Sequence, residues 1–569
     1  MPSSEIDSAP GRLATRTPEM EPHYDVVVVG SGYGGAVAAA RLAQGGLSVC
    51  VLERGRELRP GDFPDTLPRA LRDLQIDLPS RHLFSPTALY DFRVNPDLNV
   101  FVGCGLGGTS LINANVAIQP AADVFRDKRW PSRIRDEAPD GSLHAAFAAA
   151  RNMLRPERYP CVESPRKLVR LREIAAKIPA QYGSAPLELA PVTVMFPAGD
   201  GDHRRRPNHV GVLQQPCNGC GDCVSGCNFG AKSTLLQTYL PVAKAAGASM
   251  FTEAKVHTIA PYTERPGARW IVWFDYLGGA RRRFRPPAPR LFVTARTVVL
   301  AAGALGSTEI LLRSRRAVAL STRLGEGFSA NGDVLGFAWN ARNPANAIGG
   351  GARSLHDREA PGPCISGMVR ADEFLLQEGV IPGALSPILA LGFVLARMWR
   401  GTEAERRVSR RARGASLWRI ADDYLRGGVS STQTFLGMVA DDDAGQLALS
   451  ADRLRIRWPG AGRHAAYRTL ENALTAATGS PGIDGVYVRS PFGNVTVHPL
   501  GGAIMAEDAS AGVVDDTGAV FTGDGARTHR GLYVCDAAII PRALIANPLL
   551  TITALAERAA PQILAEATG

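Results

Sequence analysis

The sequence predicts an α/β fold organised around a dinucleotide-binding β-α-β unit. A β-branched run, a glycine turn, a small-residue helix and a second apolar run follow one another from Tyr24 to Gly55. A strand–turn–helix segment, Arg296 to Arg315, is expected to return to the same sheet. The chain has 569 residues, 45% of them apolar, which suits two or more domains or one large unit with two lobes.

Neither the N-terminus nor the longest apolar run predicts export or membrane insertion. Residues 1–22 contain no apolar stretch and no paired arginines, so we expect a disordered N-terminal segment and a cytoplasmic protein. The apolar run Pro387–Trp399 is too short to span a bilayer and contains Gly392 and Arg397. We expect a core helix there, with a membrane-facing or substrate-entrance element as the alternative.

Each part of the N-terminal unit has a physical role. Gly30 permits the tight turn, Gly32 lets the backbone approach a pyrophosphate, and Gly35 allows the helix to pack closely on the strand. The start of the helix offers free N–H groups to phosphate. Glu53, at the end of the second run, is placed to accept hydrogen bonds from a ribose.

Later segments add further ligand-facing elements. A second glycine cluster spans Asn99 to Pro120, and its alternative interpretation is an ordinary glycine-rich loop. The C-terminal part supplies His498 in a His-Pro-Leu-Gly-Gly turn. It also supplies Asn547 before Pro548, where a long apolar helix is expected to begin and to direct its N-terminus at a ligand.

Four cysteines, Cys217, Cys220, Cys223 and Cys227, lie within eleven residues of a chain that has nine cysteines. Their spacing is that of a bacterial ferredoxin run, in which thiolates bind one [4Fe–4S] cluster. A single run leaves open whether Cys227 completes that cluster, a distant ligand does so, or a [3Fe–4S] cluster forms. A structural zinc site and a loop without metal are the alternatives, whereas disulfides do not suit a cytoplasmic chain.

The net charge of +10 comes mostly from arginines scattered among acidic residues. The densest basic run, Arg406–Arg419, suits a solvated helix face, with contact to an acidic membrane or partner as the alternative. The sequence contains neither basic residues interleaved with aromatic ones nor a recognisable nucleic-acid module. We therefore expect no binding to nucleic acid, and peripheral contact with a membrane at most.

Five motifs occur in a characteristic order: GSGYGGAVAAARL, GCGLGGTSLINANVAI, AAGALGSTEILLRS, HPLGG and NPLLTITALAER. In these motifs, and over most of Tyr24 to Ala560, the chain resembles the glucose-methanol-choline (GMC) oxidoreductases. Within that family it is most similar to the cholesterol oxidase branch. The resemblance implies a discontinuous, Rossmann-like FAD-binding domain and an α+β substrate lobe with a mainly antiparallel sheet. It assigns residues 23–60, 95–120, 228–330 and 510–569 to the FAD-binding domain. It assigns residues 61–94, 121–227 and 331–509 to the substrate-binding domain, with the Cys217–Cys227 loop at the crossover.

The resemblance also implies which residues contact the FAD. They are Gly30, Gly32, Tyr33, Gly34, Gly35, Glu53, Gly108, Thr109, Ser110, Asn113, Ala114, Val116, Val256, Ala302, Asp536, Ala537, Asn547 and Leu549. In this family a histidine of the second glycine cluster often links FAD covalently. That segment here has Cys104 and no histidine, so non-covalent FAD is expected, with a thioether to Cys104 as the alternative.

Alcohol oxidation requires a base for the hydroxyl proton and an acceptor for the hydride, and flavin N5 supplies only the acceptor. An imidazole titrates near neutrality, so His498 is the expected base, and Asn547 is expected to orient the substrate. The implied substrate is a bulky hydrophobic alcohol, either sterol-like or a biosynthetic intermediate. Electrons would pass to O2 or, through an iron–sulfur cluster, to a redox-partner protein.

Cholesterol oxidases also use a glutamate of the substrate lobe to isomerise a double bond. Gly367 stands at that position here and Glu373 is the nearest carboxylate, so the sequence does not predict isomerisation. One alternative is an enzyme of this family that uses bound FAD without net oxidation, as a lyase or decarboxylase. Another is an O2-using oxidase whose cysteine cluster is a structural zinc site. A non-enzymatic alternative is an electron-transfer subunit or flavin scaffold.

Overall fold

The structure, a computed structural model, describes residues 11–138, 140–160, 165–183, 186–199, 202, 204–278, 290–339, 343–351, 359–387, 431–490 and 492–569. The described strands are, in chain order, β1 (His23–Val29), β2 (Val49–Leu52), β3 (Leu74–Asp77), β4 (His82–Leu83), β5 (Tyr90–Arg93), β6 (Asn99–Gly103), β7 (Glu157–Arg158), β8 (Leu187–Leu189), β9 (Pro191–Val192), β10 (Arg206–Pro207), β11 (Leu213–Gln214), β12 (Ser249–Phe251), β13 (Ala254–Pro261), β14 (Trp270–Tyr276), β15 (Leu291–Leu300), β16 (Val334–Trp339), β17 (Gly367–Arg370), β18 (Phe374–Gly379), β19 (Gln433–Val439), β20 (Gln446–Ser450), β21 (Arg453–Arg457), β22 (Val486–Arg489), β23 (Val495–Thr496), β24 (Ala519–Phe521) and β25 (Thr528–Val534). The described α-helices are α1 (Tyr33–Gln44), α2 (Leu67–Arg72), α3 (Ala122–Arg126), α4 (Ser132–Glu137), α5 (Ser142–Leu154), α6 (Arg166–Ala175), α7 (Tyr239–Ala245), α8 (Gly303–Ser314), α9 (Ala465–Thr478) and α10 (Leu549–Thr568).

The dinucleotide unit lies in an eight-stranded sheet. Its valine-rich strand β1 is parallel to both β2 and β15, and Val26 stands opposite Val49 on one side and Thr297 on the other. β12 and β25 extend the parallel part, while the pair β13–β14 adds antiparallel strands beside the first half of β15. The predicted return of the Arg296–Arg315 segment to this sheet is therefore confirmed, with β15 as its strand and α8 as its helix.

A second sheet has six strands in the order β22-β16-β19-β18-β17-β8, and every neighbouring pair is antiparallel. Alternate side chains face opposite sides, as strand geometry requires. Phe435 of β19 packs with α6 and α9 on one side. Met438 and Leu375 face the other side and share the apolar core of the dinucleotide unit. This is the mainly antiparallel sheet that the resemblance implies.

A third sheet, of five strands, crosses one of the expected domain boundaries. Its order is β23-β6-β5-β3-β4, so β6 pairs with β5 in an antiparallel ladder. The resemblance assigns β6 to the FAD-binding domain and β5 to the substrate-binding domain. A boundary at residues 94 and 95 therefore divides one sheet.

Three further expectations concern the N-terminus and the two unusual runs. Residues 11–22 contact the dinucleotide unit, whereas disorder was expected for residues 1–22. The backbone N atoms of Leu13 and Ala14 donate hydrogen bonds to the Glu57 carboxylate, and that of Thr15 donates one to the carbonyl oxygen of Met250. Residues 1–10, the run Arg406–Arg419 and nearly all of Pro387–Trp399 lie outside the described residues. Within the described part of the chain, no helix is both long and apolar enough to cross a membrane.

Candidate active site

The glycine turn after β1 packs against the end of β15. The φ of Gly30 is +94°, and a Cβ there would lie 2.4 Å from the carbonyl oxygen of Ala301. A Cβ on Gly35 would lie 2.2 Å from the carbonyl oxygen of Gly30, so only glycine permits this approach of α1 to the strand. A Cβ on Gly32, the N-cap of α1, would have no atom within 4 Å. The start of α1 therefore faces open space, as a phosphate-binding turn requires.

Glu53 is buried at the end of β2, beside this turn. Its Oε2 accepts hydrogen bonds from the backbone N of Ser31 at 3.1 Å and from the Ser31 hydroxyl at 2.6 Å. Its Oε1 accepts one from the backbone N of Gly55 at 2.8 Å. The Ser31 hydroxyl also accepts a hydrogen bond from the backbone N of Gly107 at 2.9 Å. Ser31, which the sequence reasoning did not single out, thus joins the two glycine clusters.

The second glycine cluster is packed onto the first. A Cβ on Gly108 would lie 2.9 Å from the Cα of Gly32. The Thr109 hydroxyl accepts a hydrogen bond of 3.1 Å from the last residue of β6, and the Ser110 hydroxyl donates one of 2.6 Å to a carbonyl of its own turn. These two hydroxyls, expected near the flavin, therefore also fix the shape of the loop that carries them.

Asn113 connects the second cluster to two other residues. Its Nδ2 donates to the Tyr33 hydroxyl at 2.8 Å, and its carbonyl oxygen accepts from Lys232 Nζ at 2.7 Å. Its Oδ1 is buried and has no hydrogen-bond partner among the described residues. A buried amide oxygen without a donor is costly, so this atom marks a place where a bound ligand would supply one.

Other expected FAD contacts follow the carboxyl ends of parallel strands, the edge at which α/β sheets bind ligands. Ala302 follows β15, and Asp536 and Ala537 follow β25. The Asp536 carboxylate accepts hydrogen bonds from the Ser307 hydroxyl at 2.5 Å and the Gly303 backbone N at 2.9 Å. Burial raises the pKa of Asp536 to about 6. The remaining expected contacts are Gly34, whose Cβ would meet the backbone of residue 535, Ala114 and Val116 in the second cluster, Val256 on β13, and Leu549 at the start of α10.

The residues brought together here fit FAD. The open start of α1 can bind the pyrophosphate, and Glu53 at the end of β2 can bind a ribose. The buried Asn113 Oδ1 can accept a hydrogen bond from the cofactor. The sequence reasoning selected all three positions, and the structure places them around one edge of the large sheet.

The imidazole of His498 is bound by the carboxylate of Asp333, one residue before β16. The imidazole Nδ1 lies 2.9 Å from Asp333 Oδ1. Asp333 Oδ2 accepts hydrogen bonds from the backbone N atoms of Val497 at 2.8 Å and His498 at 3.1 Å, and from the Thr496 hydroxyl at 2.9 Å. A carboxylate only accepts hydrogen bonds, so Nδ1 carries the proton and Nε2 is the proton-accepting atom.

Asn547 and Gln377 extend this arrangement. Asn547 Nδ2 lies 3.5 Å from His498 Nε2. Gln377 Nε2 donates to Asn547 Oδ1 at 2.7 Å, and Asn547 Nδ2 donates to Gln377 Oε1 at 3.2 Å. The structure therefore brings the two predicted catalytic residues together. It adds Asp333 and the fully buried Gln377 of β18, neither of which the sequence indicated.

We expect the Asp333→Asn variant to retain FAD but to lose at least about 10²-fold in the rate of flavin reduction by substrate. An amide at residue 333 can donate to Nδ1, which favours the tautomer with its proton on Nε2 and removes the base. Stopped-flow measurement without O2 gives this rate, and its pH profile should change shape as well. A rate and profile equal to the wild type would show that Asp333 does not set the tautomer.

The nearest buried carboxylate to Gln377 is Glu378, its neighbour on β18, and not Glu373. Glu373 is exposed, whereas Glu378 lies next to Gln377 on β18 and is fully buried. Glu378 Oε2 accepts a hydrogen bond from Lys167 Nζ at 2.7 Å, and Oε1 accepts from the Gly367 backbone N at 2.9 Å. The backbone N and hydroxyl of Ser366 donate to Oε1 as well, at 2.7 and 2.6 Å. A carboxylate so fully bonded is not free to move a proton, so isomerisation is not supported.

The four clustered cysteines lie between β11 and α7, and burial raises the pKa of the Cys217, Cys220 and Cys223 thiols. All four side chains fall within the described residues, among which no group of three or more Cys, His, Asp or Glu side chains is placed to hold a single metal ion. Neither a zinc site nor an iron–sulfur cluster is therefore shown by the described side chains, and both stay predictions. The eight described cysteines are free thiols.

Comparison with known proteins agrees with the geometry. Family models match at residues 25–60 (FAD binding domain) and at residues 207–328 and 463–556 (GMC oxidoreductase). A cholesterol oxidase of Mycobacterium tuberculosis is 30% identical over 95% of this chain and 91% of its own length. One of Acinetobacter baumannii is 26% identical over 96% and 95%. The crystal structure of a formate oxidase superposes with a TM-score of 0.59 at 14% identity, covering 96% of this chain and 98% of the other. The chain therefore belongs to the GMC oxidoreductase family and is an FAD-dependent alcohol oxidoreductase.

Proposed function

We propose that the protein oxidises the CH–OH group of a bulky hydrophobic alcohol, sterol-like or a biosynthetic intermediate. His498 Nε2 takes the hydroxyl proton, and the amide of Asn547 holds the substrate oxygen. Bound FAD would supply the hydride acceptor, its N5. The observation that carries the proposal is the chain of contacts from Asp333 through His498 and Asn547 to Gln377, because it leaves one basic nitrogen beside one amide donor.

Two features support a large apolar substrate. The relatives with the highest identity reported above are cholesterol oxidases. Gln377 of β18 meets Asn547 on one side of the antiparallel sheet, whereas its neighbour Glu378 faces the opposite side, where Lys167 neutralises it. A substrate that reaches Asn547 therefore does not meet the charge of Glu378.

Flavin attachment is proposed to be non-covalent. Cys104 is buried, its Sγ lies 3.8 Å from the Pro86 carbonyl oxygen, and burial raises the pKa of its thiol to about 11. A protonated thiol is a poor nucleophile, so it does not favour a thioether. The free thiols of the described cysteines suit the reducing conditions of the cytoplasm, where we place the protein.

The proposal is tested by mixing the FAD-loaded protein, without O2, with cholesterol, a long-chain primary alcohol and a small polar alcohol. We expect bleaching of the flavin by at least one of the two hydrophobic alcohols and none by the polar one. Turnover with the flavin still oxidised would instead establish a lyase or decarboxylase. Absence of bleaching with every hydrophobic alcohol in a broad panel would overturn the proposal. Admitting O2 or a one-electron dye to the reduced enzyme then separates an oxidase from a dehydrogenase.

A further inference from the structure

We propose that the loop from Cys217 to Cys227 binds a [4Fe–4S] cluster through its four thiolates. This inference concerns metal binding alone and does not depend on which alcohol is oxidised. It rests on the placement of the side chains, on the backbone around them and on one buried charge, in addition to the ferredoxin-like spacing.

The four thiols face a common space. The side chains of Cys217, Cys220, Cys223 and Cys227 all line one cavity. Apolar side chains, among them Val194, and the buried Lys232 line the rest of it. A thiol-lined cavity of this kind suits a cluster, whose properties depend on how far solvent reaches it.

The backbone wraps around this cavity by means of glycines. Gly219, Gly221 and Gly226 have φ values of +74°, +77° and +105°, a region in which side-chain-bearing residues are strained. A Cβ on Gly226 would also lie 2.1 Å from the ring of Phe63. These glycines let one short loop direct all four of its cysteine side chains into the same cavity.

Two backbone N–H groups already point at cysteine sulfurs. The N atom of Gly219 lies 3.4 Å from Cys217 Sγ, and the N atom of Cys364 lies 3.4 Å from Cys223 Sγ. Hydrogen bonds to the sulfurs stabilise thiolates and are one of the ways in which proteins tune iron–sulfur centres. Neutral thiols would gain little from them, since sulfur in a thiol is a weak acceptor.

The buried charge of Lys232 is a second observation, independent of the cysteine spacing, that indicates an anionic ligand in this cavity. It is 2% exposed, and its Nζ donates to the carbonyl oxygens of Asn113 at 2.7 Å and Cys223 at 3.1 Å. Among the described residues no carboxylate pairs with it; the one carboxylate that lines the cavity, Asp222, accepts from the backbone of Gly351 and Gly383 instead. A buried ammonium group without a counter-charge is costly. An anionic cluster held by four thiolates would supply that charge.

The same geometry disfavours zinc. A zinc ion gathers three or four ligands around one point, and no such group occurs among the described side chains. In a [4Fe–4S] cube each thiolate binds a different iron, so the four sulfurs stand further apart than the ligands of a single ion. Four thiols that line one cavity without converging on one point therefore fit a cluster better than zinc.

The test is to purify the FAD-loaded protein without O2, reconstitute it with ferrous iron and sulfide, and measure iron, sulfide and zinc per chain. We expect about four irons and four sulfides per chain and an EPR signal after reduction by dithionite. Cys220→Ser and Cys223→Ser should each hold well under half of that iron. Cys50→Ser, at a buried cysteine of β2, is the matched control and should hold the full amount.

A variant outside the cysteines keeps the test informative if the cysteine variants fail to fold. Lys232→Met should release iron to a chelator several-fold faster than the wild type, whereas Lys244→Met on α7 should not. Stoichiometric zinc in place of iron, or iron content unaffected by Cys220→Ser, would overturn the proposal. So would failure of the wild-type protein, with FAD bound, to take up iron and sulfide. Flavin bleaching by alcohol in the same preparations reports on the proposed oxidation separately.

Discussion

His498→Gln should bind FAD as the wild type does but reduce it with substrate about 10²- to 10⁴-fold more slowly. Glutamine keeps a polar side chain of similar reach, yet it cannot take a proton at neutral pH. Asn547→Leu should also slow the reaction, because its side chain is the amide next to His498 Nε2. Stopped-flow absorbance at the flavin band, recorded without O2, measures both rates.

The matched control for this prediction is His529→Gln. His529 is bonded to the carbonyl oxygen of Ala319 at 2.6 Å, away from Asp333 and Asn547, so its replacement should leave the rate within about two-fold. If His498→Gln reduces flavin as fast as the control, a group other than His498 takes the proton. If its FAD content falls as well, the loss of rate reports on cofactor binding rather than on the base.

Lys167→Met should lower the free energy of unfolding by about 3–5 kcal/mol. Lys167 and Glu378 are both 0% exposed and form a 2.7 Å ion pair that links α6 to β18. Methionine fills a similar volume but leaves the carboxylate buried without its cation, and that unpaired charge dominates the cost. Urea unfolding followed by far-UV circular dichroism measures the change, with Lys177→Met, an exposed lysine that follows α6, as the control.

The double variant Lys167→Met with Glu378→Gln should recover a large part of that loss. A glutamine at residue 378 carries no charge, and its carbonyl oxygen can still accept from Ser366 and Gly367. A loss below about 1 kcal/mol in the single variant would mean that the pair contributes no more than an exposed one. A double variant less stable than the single would show that the cost does not arise from the unpaired charge.

The dinucleotide unit could be predicted from sequence because its determinants are local. Gly30, Gly32, Gly35 and Glu53 lie within one β-α-β segment, and each has a fixed backbone or ligand duty in that segment. The structure supports those duties by close contacts at Gly30 and Gly35 and by open space at Gly32. The resemblance then supplied His498 and Asn547 together, and the two do meet.

Asp333 and Gln377 could not be predicted in the same way. Asp333 stands 165 residues before His498, and Gln377 stands 170 residues before Asn547. Each lies in a stretch that reads only as the start or interior of a strand, so nothing local distinguishes it from other polar residues. Glu378 was missed for a related reason: its burial depends on Lys167, 211 residues away, which no periodic pattern reveals.

The double use of the Asp333 carboxylate bears on how this enzyme can evolve. One oxygen binds the imidazole and the other binds the backbone that carries it, so the position of His498 Nε2 is fixed by the residue just before β16. Strands further along the antiparallel sheet can then exchange apolar side chains without moving the base. Substrate preference and proton transfer are thereby separable traits, and a lineage can acquire a new alcohol by mutations that never touch its catalytic geometry.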